Sequence, residues 1–132
     1  MKQTHNRQAG FSLVEVLAAV GIIGIISFLA IPNIVAIKQD SERQLAITRA
    51  EGVNMGVAAY IQANGRDAVS SAWSSATADQ RYTSIRPYLS FAPTTLADFQ
   101  PAGYLITPPT DLNNLEKAVL KPSAEGAAAI SY

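Results

Sequence analysis

Residues 11–37 read FSLVEVLAAVGIIGIISFLAIPNIVAI, an apolar run whose one charged side chain is Glu15. A hydrocarbon core of about 30 Å needs roughly 20 apolar residues in a helix, so the run is long enough to cross a membrane. It closes on the charged cluster Lys38, Asp40, Glu42 and Arg43. Beyond that cluster the spacing stays helical while the face becomes two-sided: Leu45, Val53, Val57 and Ile61 fall on one i, i+4 row, with Ala46, Ala50 and Tyr60 beside it. Gln44, Thr48, Glu51 and Asn54 are placed on the polar side. The pattern predicts an amphipathic continuation over residues 38–64 of the same helix, stopping at Asn64 and Gly65. Gly52 and Gly56 weaken its interior, by about 1 kcal/mol each relative to Ala; either something packs closely there or the helix bends.

The remaining residues, 65–132, predict a small head. Residues 66–78 read as a Ser- and Ala-rich loop with Trp73 as its large anchor. A second, short helix is expected over residues 77–90, with Tyr82, Ile85 and Leu89 on one face and Pro87 limiting its last turn. Residues 91–103, with Pro93 and Pro101, read as irregular. Residues 104–107 form a strand candidate bounded by Gly103 and the Pro108, Pro109 pair, and residues 118–121 and 128–132 suggest a hairpin around a turn-rich stretch. The fold class this implies is α+β: a long N-terminal helix packed on a small head with one short helix and two or three antiparallel strands.

Composition narrows the function. The chain has 132 residues, 10 basic and 10 acidic side chains and no cysteine. Balanced charge without a basic face argues against nucleic-acid binding. Without cysteine there are no disulfides, thiolate nucleophiles or Cys-based metal sites. The one histidine, His5, sits in the short basic stretch 1–10 that also carries Lys2 and Arg7. Residues 65–132 offer no Ser/His/Asp set, metal cluster or Gly-rich phosphate loop, so no catalytic residue, metal or cofactor is expected and the chain does not read as an enzyme. Basic residues ahead of the apolar run place the N-terminus in the cytoplasm and the head outside. A secretory signal peptide fits poorly, because 27 apolar-run residues exceed a usual h-region and include an acid.

Glu15 is the residue that demands a reason. A carboxylate inside a membrane-crossing run costs about 2.5 to 3.5 kcal/mol at the helix centre and less near an end. No basic side chain lies between Arg7 and Lys38 to pair with it. A cut between Gly10 and Phe11 would create a positive charge nearby, the α-amine of Phe11, four residues from Glu15 and ordinarily with a pKa near 8. Pairing within one helix is possible. Pairing between stacked copies would fix axial register in an otherwise uniform apolar bundle.

The stretch from Gly10 through Leu17, GFSLVEVL, with the basic leader before it, closely resembles the signature of type IV prepilins and type II secretion pseudopilins. Ser12 stands where Thr or Ser is usual in that family, and Pro32 falls at the family's helix proline. The resemblance covers roughly residues 2–61. It implies a pilin-like fold, a leader (1–10) removed by a prepilin peptidase that recognises Gly10, N-methylation of Phe11 by the same enzyme class, and subunit docking guided by Glu15. It also implies the partners: further copies and related pilins, the inner membrane before assembly, an assembly platform with its ATPase, and a periplasmic or surface filament afterwards. Pro32 is a candidate helix kink, where the stretch after Gly21 and Gly24 loosens or simply bends. The chain departs from many pilins in lacking a C-terminal cysteine pair, and Asp111 and Glu116 are too sparse for the acidic calcium loop of major pseudopilins. Pilus and pseudopilus both stay open. So does a single-pass anchored, extracytoplasmic binding module that does not polymerise, although that alternative leaves Glu15 without a purpose.

Overall fold

The computed structural model describes residues 10–132, so the expected leader, with Lys2, His5 and Arg7, lies outside the described residues except for Gly10. The chain divides into two units, one ending at Gln39 and one comprising Asp40–Tyr132. Helix α1 (Leu13–Asn64) supplies most of the first unit and the opening element of the second.

In the first unit α1 continues through Pro32 as helix. Its large apolar side chains, from Phe11 to Ile37, are between 49% and 90% exposed. Residues 13–37 rise about 37 Å at 1.5 Å per residue, enough to cross a hydrocarbon layer of about 30 Å. Burying one such side chain is worth about 1.5 to 3 kcal/mol, so the whole surface is unfavourable in water and needs lipid or protein around it.

In the second unit the inward stripe of α1 is Ala46, Ala50, Val53, Gly56 and Val57. The helix stops where expected: Gly65 takes φ 82° and its N–H donates to the Ile61 carbonyl at 2.9 Å. The row anticipated from sequence is rotated slightly, because Leu45 is 46% exposed while its neighbour Ala46 is fully buried. One residue turns a helix by about 100°, so the small alanines, not Leu45, set how closely the head approaches.

Residues 66–75, expected as a loop, form a helix, α2 (Arg66–Ser75). Local serine content favoured a loop, but Trp73 overrides it by burying its ring in the core and donating its indole N–H to the Pro109 carbonyl at 2.9 Å. Helix α3 (Ala78–Ile85) begins with a reciprocal cap between Thr77 and Gln80, and its Arg81 donates to the Trp73 and Ser74 carbonyls that end α2. A 3₁₀ turn (Arg86–Tyr88) follows, then a one-turn helix α4 (Leu96–Phe99) within the stretch read as irregular. The head therefore carries more short helix than the single one anticipated.

Strands β1 (Tyr104–Thr107) and β2 (Val119–Pro122) pair antiparallel, with Ile106 opposite Leu120 and both buried. The final segment adds a single bridge, Leu120 to Ile130, so β2 pairs mainly with β1 and only at one point with the segment expected as its hairpin partner. The core joins the α1 stripe to Trp73, Ile85, Ile106, Leu112 and Leu120.

Candidate processing and assembly site

Gly10 and Phe11 precede α1 and are exposed, with nothing near the Gly10 α-carbon within 4 Å of a would-be side chain. Ser12 is the residue before the first helical position, and its carbonyl accepts the first helical bond from Val16 at 3.2 Å. Glu15 is then the third helical residue. Its Oε2 accepts the backbone N–H of Ser12 at 2.8 Å. That is one half of a capping box, in which a Glu at the third position reaches back to satisfy a donor the helix cannot satisfy. A carboxylate there also meets the positive end of the helix dipole.

Structure thus gives Glu15 a local partner that the sequence reading overlooked, although the signal was present as Ser12-x-x-Glu15 just ahead of an apolar run. Only one carboxylate oxygen is occupied by that bond, which leaves Oε1 for another donor. Gly10, Phe11, Ser12 and Glu15 lie together at the start of α1; Pro32 lies 17 residues further along the same helix.

A second polar constellation lies in the head, built on two α1 residues, Glu51 and Asn54, that were expected to face solvent. Asn54 Oδ1 accepts the Ala118 N–H at 2.7 Å, and Asn54 Nδ2 donates to Glu51 Oε2 at 3.1 Å and to the Tyr132 hydroxyl at 3.4 Å. That hydroxyl in turn donates to the Ala118 carbonyl. Lys117 Nζ donates to Glu51 Oε1 at 3.0 Å and to the Tyr132 carbonyl at 2.8 Å, and sits 4.9 Å from the centre of the Tyr132 ring. The Asn54 amide, then the Lys117 ammonium, holds the Glu51 carboxyl below its ordinary value. Burial pushes the Tyr132 phenol up, against the Asn54 hydrogen bond. Nothing in the helical period marked Asn54 and Glu51 as inward-reaching, because their partners lie more than 60 residues away. The arrangement is a clamp that fastens the β2 entry and residue 132 to α1. Asp111 Oδ1 is taken by the Asn113 N–H at 2.8 Å, and no group of three or more His, Cys, Asp or Glu side chains gathers as a metal site among the described residues.

An exposed apolar helix, a carboxylate in its first turn and an exposed Gly-Phe junction thus stand together at the start of α1. Residues 5–31 match the family model described as the prokaryotic N-terminal methylation motif. Among known proteins the chain is similar to the type II secretion system core protein G of Pectobacterium carotovorum subsp. carotovorum, 30% identical over 64 residues, covering 48% of this chain and 41% of that one. It is also similar to the protein of the same name from Aeromonas hydrophila, 37% identical over 43 residues, covering 33% of this chain and 30% of that one. The matches thus span less than half the length of these relatives. No solved structure matches the chain at a significant level.

Proposed function

We propose that the chain is a structural subunit of a pilus-like or secretion pseudopilus filament, and not an enzyme. Its leader is cut after Gly10, Phe11 is N-methylated, and the subunit waits in the inner membrane with its head outside. Assembly moves residues 11–37 from lipid into contact with the same segment of other copies, so apolar contacts are retained throughout. The new amine of one copy pairs with Glu15 of another. The observation that carries this reading is the coincidence of a largely exposed apolar run with a carboxylate four residues from Phe11. That both relatives are named as type II secretion system core proteins favours the pseudopilus form.

One observation supports a second reading, that of an anchored module that does not polymerise. The Ser12 bond gives Glu15 a purpose inside a single helix, which a plain anchor would also use. Two variants separate the readings. A Gln at position 15 keeps an oxygen to cap Ser12 but carries no charge; Val keeps neither. Filament yield from cells, measured by shearing and electron microscopy, is expected to collapse for both Glu15→Val and Glu15→Gln. Filaments at parental yield from Glu15→Gln would leave only the capping role, and an unsubstituted chain that never forms filaments would favour the anchored module.

A further inference from the structure

The head carries two grooves on different flanks of α1. The first, about 280 Å³, is floored by Arg49, Gly52 and Met55 and walled by Tyr88, Leu89 and Phe99. The second, about 200 Å³, lies against Asn54, Val57 and Ala58 and is walled by Pro109, Leu115 and Glu116. With about 100° of rotation per residue, the two sets of α1 positions face away from each other by roughly half a turn. They cannot meet within one molecule.

Each groove has an apolar rim that the head leaves open. Beside the first, Phe91 is 106% exposed and Met55 is 70% exposed. Phe91 also has φ 55°, a left-handed conformation that a bulky residue rarely adopts. A fold that strains a backbone to hold an aromatic ring in solvent is unfavourable twice over, and such outliers gather where a contact is made. Beside the second groove stand Leu115, 48% exposed, and Val119, 41% exposed.

Their charges are opposite. The first groove is floored by Arg49, whose guanidinium donates to the Phe99 carbonyl and lies 5.6 Å from the Phe99 ring centre, and Arg86 opens the 3₁₀ turn that brings Tyr88 to its wall; Asp98 is close by in sequence, its carboxylate accepting the Thr95 hydroxyl. The second groove presents Glu116, and beyond it Asp111, while the Lys117 ammonium there is taken up by Glu51. Neither Arg86 nor Glu116 has an ion-pair partner among the described residues.

We propose that the two grooves are the two halves of a contact between copies of this chain, the Phe91 rim of one head seating on the Leu115/Glu116 rim of the next. Two unlike faces on opposite flanks make a heterologous contact, which propagates along a filament and does not close into a pair. A cationic rim meeting an anionic one fixes which faces meet. The proposal rests on the filament reading above, and adds a head-to-head contact to the helix-to-helix one.

The absence of cysteine makes the test clean. The full chain bearing Phe91→Cys and Leu115→Cys together is treated in filament-producing cells with a short bismaleimide. A ladder of dimer, trimer and higher products is expected, and none from either single variant. Filaments without a ladder, dimers from Phe91→Cys alone, or a conjugate with a different protein would each overturn the contact. Absence of filaments from the unsubstituted chain would instead remove the reading on which it rests. Should the double variant not assemble, Phe91→Gly decides. Glycine relieves the backbone, so the melting temperature of the head is expected to hold or rise while head association falls about tenfold. Parental filament yield from Phe91→Gly would sink the proposal.

Discussion

The Oε2 of Glu15 completes the start of its own helix through Ser12, and the proposed filament would give its charge a partner in a neighbouring copy. Loss of the cap alone is expected to cost about 1 kcal/mol of helix stability, too little to remove the chain from a membrane. Membrane fractionation of Glu15→Val should therefore match the parent. The cap was legible, since Ser-x-x-Glu ahead of an apolar run carries its own mechanism. Asn54 was not: read along the helix it is one more polar residue, and only the fold brings Ala118 against it. Asn54→Ala strips the Ala118 N–H of its acceptor and should destabilise the head by about 1 to 3 kcal/mol in chemical denaturation, whereas alanine at nearby exposed Thr48 should change little. Glu51 adds a pH dependence. Its folded value lies below its unfolded one, so its contribution is present above about 4.5 and is lost as pH falls through the depressed folded value. The head's melting temperature should fall on that acid limb, and Lys117→Met should flatten it. The Tyr132 and Tyr82 phenols are raised by burial, so their contribution holds below 10.0 and is lost as pH climbs past it.

Among the elements, α1 was the most legible. Its apolar run, its amphipathic continuation and its glycine stop are local features, and the helix spans Leu13–Asn64. The two glycines in its second half turn out to differ. A methyl group on Gly56 would lie 2.9 Å from a Leu89 Cδ, so close packing accounts for that one. At Gly52 the same methyl group would meet nothing within 4 Å. Gly52→Ala should then stabilise the head by about 0.5 to 1 kcal/mol, and Gly56→Ala should gain less or lose, because Leu89 must move; thermal melts of the two variants check the order. Helix α2 was hidden because its stability comes from Trp73 reaching Pro109, a contact 36 residues away, and not from its serine-rich sequence. β1 falls where its apolar run was read and β2 one residue further on, while 128–132 supplies only one bridge; which strands pair depends on non-local contacts, which no local period encodes.

At the scale of the whole molecule, two units of different character share one helix: one buries a core and the other exposes nearly everything apolar it has. The head should fold around Trp73, whose truncation to alanine is expected to cost about 3 to 5 kcal/mol and to leave the apolar segment of α1 untouched by circular dichroism in detergent. The exposed segment has no such internal logic. In the proposed filament its stability lies in what surrounds it, first lipid and then other copies, and the proposed link between those two states is the amine that a cut before Phe11 would release. Such a cut would give each copy both halves of a pairing able to fix register. The most direct measurement is the mass of the N-terminal peptide from protein isolated from cells. The expected result is a chain that begins at N-methylated Phe11 and lacks residues 1–10, with the leader retained when Gly10 is replaced by a bulky residue. A mature chain that still begins at Met1, or that is cut anywhere other than between Gly10 and Phe11, would contradict it.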